Sequence, residues 1–258
     1  MNILVTLDSN YMKPLKVMLK SLFINNSRER FTIFVMHSRL SEFELAELRQ
    51  LVSSHGNNLQ VITVDETHFA DAPTLMHYTK EMYYRLLAFK FLPKGLKRIL
   101  YLDPDILVLN SVREFYELDL DDYLFAAAHH DRIAIREINR IRLMPYEISN
   151  YYNSGVLLMN LERQREEIDA EVIYEFVEKN RSRLIMPDQD ILNALYSPKV
   201  KNVDETLYNY DARSYKHYKS KMKGKCDMDY VIHHTVFLHF CGKKKPWNKD
   251  YRGKFHAL

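Results

Sequence analysis

The chain has 258 residues, 47% hydrophobic and 28% charged, with a formal net charge of +3. This is the make-up of an ordinary globular protein, long enough for one large α/β domain or a domain with an appendage. Two cysteines, Cys226 and Cys241, make neither a disulfide framework nor a zinc site, and the expected setting is reduced and cytoplasmic.

The chain opens on Met-Asn-Ile-Leu-Val-Thr-Leu-Asp, which has no basic region followed by a long apolar core and reads as a strand rather than a signal peptide. No apolar run approaches the roughly 20 residues of a membrane span. The pattern predicts a strand over Asn2–Leu7 and a helix over Tyr11–Asn25, with Leu15, Leu19 and Leu22 on one face. A strand follows over Phe31–Met36. Ser41 then opens a helix, with Glu44 placed for a capping box and Leu45, Leu48 and Val52 facing inward. Leu59–Val64 is the third strand and Tyr83–Leu92 the third helix. Strands alternating with helices predict a mostly parallel, doubly wound sheet over the first hundred or so residues. Beyond it, Phe125–Ala128 and Gly155–Asn160 read as strands and Glu162–Asn180 as one long charged helix. With six glycines and no Gly/Ser linker, one domain over 1–258 is expected, a nucleotide-binding half over 1–110 and a less regular half over 111–258.

The run over 98–109, Arg-Ile-Leu-Tyr-Leu-Asp-Pro-Asp-Ile-Leu-Val-Leu, is the most informative segment. Its apolar residues read as a strand buried on both faces, where unpaired Asp103 and Asp105 would each cost several kcal/mol. Pro104 cannot donate to a sheet ladder, so the strand should stop or bulge there. Both acids then emerge at the carboxyl edge of the sheet, where α/β proteins place ligands. Two hard-oxygen groups one residue apart suit a divalent cation and a phosphate-bearing substrate. A strand-end turn with two exposed acids and a haloacid-dehalogenase type of phosphatase are the competing readings. In such a phosphatase a Thr or Val usually stands where this chain has Leu107, and the motif usually opens the fold.

Other segments carry weaker signals. Asp8 ends the first strand and can serve a base or ribose, while Asp8 or Asn10 can equally cap a helix. His239 precedes Gly242 and Lys245, which together make a plausible corner for a diphosphate and a metal. Asp188-Gln-Asp-Ile-Leu-Asn193 opens an apparent helix after Pro187, and at most two of its three leading polar groups can face one site; a charged first helical turn is the alternative. Asn153-Ser-Gly155 stands ahead of a strand. The pairs His129-His130 and His233-His234 remain unassigned. From Lys219 onward the chain is strongly basic, which points to an anionic partner or to a solvated surface.

Six motifs occur together: Thr6-Leu-Asp-Ser-Asn-Tyr11, Tyr84-Arg85-Leu86, Leu100–Val108, Tyr152–Asn160, Asp188–Asn193 and His239–Trp247. In this set and order the chain resembles glycosyltransferase family 8, from Leu4 to about Trp247. The resemblance implies the GT-A fold and a retaining, metal-dependent hexosyltransferase. By it, Asp103, Asp105 and His239 would hold Mn²⁺, with Mg²⁺ as the alternative, against the diphosphate of UDP-galactose or UDP-glucose. Asp8 and Asn10 would contact uridine with Thr6 beside them, and Pro104, Gly242 and Lys245 would complete the nucleotide site. Arg85, Asp131, Asn153 and Asp188 would hold the donor sugar. Gln189 would lie near the anomeric carbon, and either Gln189 or Asp190 would act as a transient nucleophile, or the acceptor would attack from the leaving-group face. The implied acceptor is a glycan, glycolipid or glycoprotein, with no nucleic acid, seated in the stretches Ile133–Tyr151 and Tyr208–Tyr230. Eleven residues follow Trp247, so at most peripheral contact with the inner face of a membrane is expected, through the basic C-terminal region. A catalytically silent nucleotide-sugar-binding protein of the same fold is the competing function.

Overall fold

The computed structural model describes residues 1–65, 83–129, 133–148 and 150–256. The first half runs β1 (Asn2–Thr6), α1 (Met12–Asn25), β2 (Thr32–His37), α2 (Glu42–Ser54), β3 (Asn58–Thr63), α3 (Tyr84–Leu87), β4 (Arg98–Leu102), β5 (Ile106–Val108), α4 (Arg113–Tyr116) and β6 (Phe125–Ala128). The second half runs α5 (Ile133–Arg142), β7 (Val156–Asn160), α6 (Leu161–Glu167), α7 (Ala170–Asn180), α8 (Pro187–Tyr196) and β8 (Val200–Val203). It closes with α9 (Glu205–Tyr208), β9 (Tyr210–Asp211), α10 (Tyr215–Lys221), α11 (Met228–His234) and β10 (Phe237–His239). Among the described residues, no helix is long and apolar enough to cross a membrane.

Seven strands form one sheet in the order β3-β2-β1-β4-β7-β6-β8. β1, β2, β3 and β4 pair in parallel, as do β6 and β8, whereas β7 runs antiparallel to both β4 and β6. Successive strand residues point to opposite faces. Ile3, Val5, Leu100 and Leu102 therefore pack on one side with Leu15, Leu19 and Leu22 of α1 and Leu45, Leu48 and Val52 of α2. Leu4, Ile99 and Tyr101 pack on the other with Leu87, Val177 and Ile191. Both faces are covered, as the aliphatic run in β4 predicts. A second, three-stranded sheet has the order β5-β10-β9. The chain thus leaves the large sheet at Leu102 and enters the small one at Ile106, and Asp103-Pro104-Asp105 is the crossover between them.

The helix predicted over Glu162–Asn180 is two helices. Ile168 is extended (φ −97°, ψ 117°) and buried, and Asp169 caps α7 by accepting from the Glu171 N–H at 3.0 Å. Burial of one isoleucine and a new N-cap together outweigh continuation of the helix. Ahead of β4, the helix over Tyr83–Leu92 is shorter than predicted: α3 is one turn, followed by a 3₁₀ turn over Ala88–Lys90.

The capping box of α2 is formed. Ser41 Oγ accepts from the Glu44 N–H at 3.3 Å, and Glu44 Oε2 accepts from the Ser41 N–H at 2.8 Å. The Ser41 hydroxyl, then its backbone N–H, hold the Glu44 carboxyl below its ordinary value. A carboxyl depressed in the folded state adds stability above its unfolded pKa and loses it as pH falls through the folded one. Ser41→Ala should raise the Glu44 pKa, read by NMR titration, and lower Tm by about 2–4 °C in thermal melts.

Candidate active site

The sheet crossover builds the site. β10 pairs antiparallel with β5, and the register sets His239 opposite Ile106, immediately beside Asp105. His239 Nε2 lies 3.2 Å from Asp105 Oδ1 and 3.8 Å from Asp103 Oδ2. One ligand atom from each of the three residues lies within 4.8 Å of the other two. Asp105 and His239 are buried, and Asp103 is partly so.

The electrostatics are those of a tight charge cluster. Burial alone would raise the Asp105 pKa, but the His239 ring and the Lys245 ammonium hold the carboxyl well below the usual range. Burial likewise disfavours a charged His239, yet the Cys241 and Asp105 groups beside it raise its pKa well above the ordinary value. Lys245 pairs with Asp105 and donates to the Phe240 carbonyl at 2.9 Å. On the other flank, Arg85 Nη1 lies 3.0 Å from Asp103 Oδ1 and 3.2 Å from Asp188 Oδ2, and it donates to the Ser154 carbonyl at 3.2 Å. Three carboxylates thus face two fixed cations and one imidazole.

Two hard carboxylates and one borderline imidazole form a donor set suited to a divalent cation such as Mn²⁺. The backbone around them has been cleared to fit. A Cβ built on Gly155 would sit 2.3 Å from His239 Cε1 and 2.6 Å from Asp103 Oδ2, closer than any real contact. Only glycine lets the start of β7 pass so near both groups. These residues fit a bound divalent cation.

A polar wall stands beside the cluster. Ser154 Oγ donates to Asp188 Oδ2 at 2.9 Å, and Asn153 Nδ2 donates to Gln189 Oε1 at 3.2 Å. Pro187 starts α8, as expected, and puts Asp188 and Gln189 on the site side. Asp190 is not brought there. It is fully buried, takes two hydrogen bonds from Arg142 at 2.5 and 2.9 Å, and also accepts from the Tyr151 hydroxyl and from the Ile185 and Met186 N–H groups. Its carboxylate ties α5 and the 184–186 segment to α8.

At the end of β1, Asp8 is exposed and caps a 3₁₀ turn by accepting from the Asn10 N–H at 2.8 Å, and Asn10 is exposed too. Thr6 is buried with its hydroxyl 3.2 Å from that of Tyr101. Pro104 lines a cleft of about 250 Å³ with Lys13, Pro14 and Trp247. Gly242 has φ +83°, and a Cβ there would meet Arg213 Nη1 at 2.7 Å. Asp131 lies outside the described residues.

Sequence reasoning passed over three site residues. Tyr101 donates to Asp103 Oδ1 at 2.5 Å from the same face of the strand, two residues earlier. A tyrosine inside an aliphatic run needs a partner for its hydroxyl, and that was the available signal. Tyr11 packs edge-on against Trp247 at 6.1 Å; burial raises its pKa first, and the Asp105 and Asp103 carboxylates add to this against the opposing Lys245. Asn209, fully buried between α9 and β9, has no local signature.

Comparison with known proteins bears on the family and the fold. The model of Glycosyl transferase family 8 matches residues 2–251. General stress protein A of Bacillus subtilis is 26% identical, over 97% of this chain and 88% of its own length. A lipopolysaccharide 1,2-glucosyltransferase of Escherichia coli is also 26% identical, over 94% of this chain and 71% of its own length. The crystal structure of the galactosyltransferase LgtC, solved with donor and acceptor sugar analogues, superimposes with a TM-score of 0.80 at 26% identity, over 97% of this chain and 90% of that one. The fold is that of the GT-A transferases.

Proposed function

Since the chain belongs to glycosyltransferase family 8, we propose that it moves a hexose, galactose or glucose, from a UDP-sugar to an acceptor hydroxyl on a glycan or glycolipid, with retention of configuration and with Mn²⁺ as the preferred ion. The observation that carries the proposal is the meeting of Asp103, Asp105 and His239 at the sheet crossover. Two relatives, a lipopolysaccharide glucosyltransferase and a galactosyltransferase, support the substrate class.

In this reading Asp103, Asp105 and His239 hold the ion. When bound, it neutralises charge on the diphosphate and improves UDP as a leaving group. Lys245, beside Asp105, would stabilise charge on the diphosphate as the glycosidic bond breaks. Gly242, in its left-handed conformation, brings backbone close to the same phosphates. Asp8, Asn10 and Thr6 line the uridine end. On the sugar side, Arg85 orients Asp188, and Asp188, Asn153 and Gln189 hold the hexose while positive charge builds at the anomeric carbon.

Incubation with UDP-glucose or UDP-galactose and Mn²⁺, with and without chelator, tests the reading. It predicts release of UDP that chelator stops. Tight binding without turnover across varied acceptors would favour a silent nucleotide-sugar-binding protein, and inorganic phosphate released from simple esters would favour a phosphatase.

A further inference from the structure

One backbone N–H fixes the direction of a chain of hydrogen bonds that runs through the whole site. Gly155 N–H is a donor and nothing else, and it meets Asn153 Oδ1 at 2.9 Å. The other amide atom of Asn153 is therefore its nitrogen, and the Gln189 atom 3.2 Å away is an acceptor, the carbonyl oxygen. The Ser154 N–H, 3.4 Å from that same oxygen, requires the same assignment. In the opposite direction, Asn209 meets Asn153 Oδ1 at 2.8 Å and has to donate, so its nitrogen faces Asn153. Asn209 Oδ1 is left to face His239 Nδ1 at 2.9 Å. An oxygen acceptor there demands a proton on Nδ1, so once Nε2 has given up its proton it presents a lone pair to the two aspartates. All four side chains are buried, Asn209 completely, so water does not offer substitute partners.

The same polarity limits what Gln189 can do. Its carbonyl oxygen accepts from two donors and has no lone pair left. What remains is its amide nitrogen, which can only donate. We infer that Asn209 is a positioning residue for both halves of the site: through His239 it selects the ring nitrogen offered to the cation, and through Asn153 it helps hold the orientation, set by the Gly155 and Ser154 N–H groups, in which Gln189 meets the sugar as a hydrogen-bond donor rather than as a nucleophile. Both limbs rest on the proposed function, which supplies the cation and the sugar; the amide directions themselves rest only on the hydrogen bonds.

The test uses the full chain and binding measurements. Mn²⁺ is titrated first, read by the electron-spin signal of the free ion, and UDP and UDP-glucose are then titrated calorimetrically at saturating Mn²⁺. Loss of a hydrogen-bonded group behind a metal-binding histidine weakens the ion by about 10–100-fold, and Asn209→Ala should do so. It should also lower the advantage of UDP-glucose over UDP by about ten-fold, the effect of one misdirected buried amide. Asn209→Asp keeps an oxygen toward Nδ1 but opposes a second oxygen to Asn153 Oδ1. It should bind Mn²⁺ at least as tightly as the wild type, since a carboxylate behind the imidazole raises its basicity, and lose only the sugar advantage, a separation that general destabilisation does not produce. Should Asn209→Ala fail to fold, the isosteric Asn209→Asp decides alone. Wild-type Mn²⁺ and UDP-glucose affinities in the folded variants would overturn the inference. A wild-type protein that binds no Mn²⁺ would overturn the metal reading, with the sugar limb still judged by the UDP-glucose to UDP ratio.

Discussion

Gly155→Ala should leave a folded protein that no longer binds Mn²⁺ measurably. The methyl group would enter 2.3 Å from His239 Cε1, 2.6 Å from Asp103 Oδ2 and 3.1 Å from Asn153 Oδ1. None of these neighbours is the free end of a flexible side chain. His239 is pinned by its strand pairing and by Asn209, and the Asp103 N–H donates to the Gly155 carbonyl at 2.8 Å, so strand and carboxylate move together. Overpacking of this kind costs about 1–3 kcal/mol, which a chain of this size tolerates. A coordination geometry off by an ångström is not tolerated, because carboxylate and imidazole ligands reach the ion over a narrow range of distances. A thermal melt establishes that the variant is folded, and a Mn²⁺ titration without saturation is the expected result. Wild-type Mn²⁺ affinity in this variant would show that Gly155 is not needed to clear space for the cation.

Asp190→Ala should act on the fold. It would remove the partner of Arg142, whose side chain is only 13% exposed, and would strip an acceptor from Tyr151 and from two backbone N–H groups. Removing one partner of a buried ion pair costs about 3–5 kcal/mol, because the remaining charge is left without compensation. In a chain of this length that lowers Tm on the order of 10 °C, measurable by calorimetry. A residue acting in the chemistry behaves differently: turnover falls while Tm stays where it was. An unchanged Tm with lost turnover would therefore return Asp190 to the reacting centre.

These two positions also show what local sequence can and cannot reveal. The alternation of strands and helices, the capping box at Ser41 and the interruption of an aliphatic strand at Pro104 all depend on residues a few positions apart, and each is legible. Asp103 and Asp105 belong with them, since carboxylates in an apolar run have to leave the sheet there. The break at Ile168 is harder to read, because it rests on burial against a distant core. Asp188 and Asp190 look alike in the sequence, two acids in one helical turn. Only Arg142, 48 residues away in the chain, and the N–H groups of the preceding loop separate them. Asn209 is less legible still. It reaches His239 because β9 pairs with β10 in the small sheet, and it reaches Asn153, 56 residues away in the chain, at the end of the large one.

The central claim is that Asp103, Asp105 and His239 form a cation seat through which a sugar nucleotide is held. Calorimetric titration of UDP into the wild-type protein, once with Mn²⁺ and once with chelator, tests it most directly. The account predicts saturable binding with Mn²⁺ that is lost, or weakened by at least about ten-fold, with chelator, since the carboxylates then repel the diphosphate instead of sharing an ion with it. Equal UDP affinity under the two conditions would contradict it.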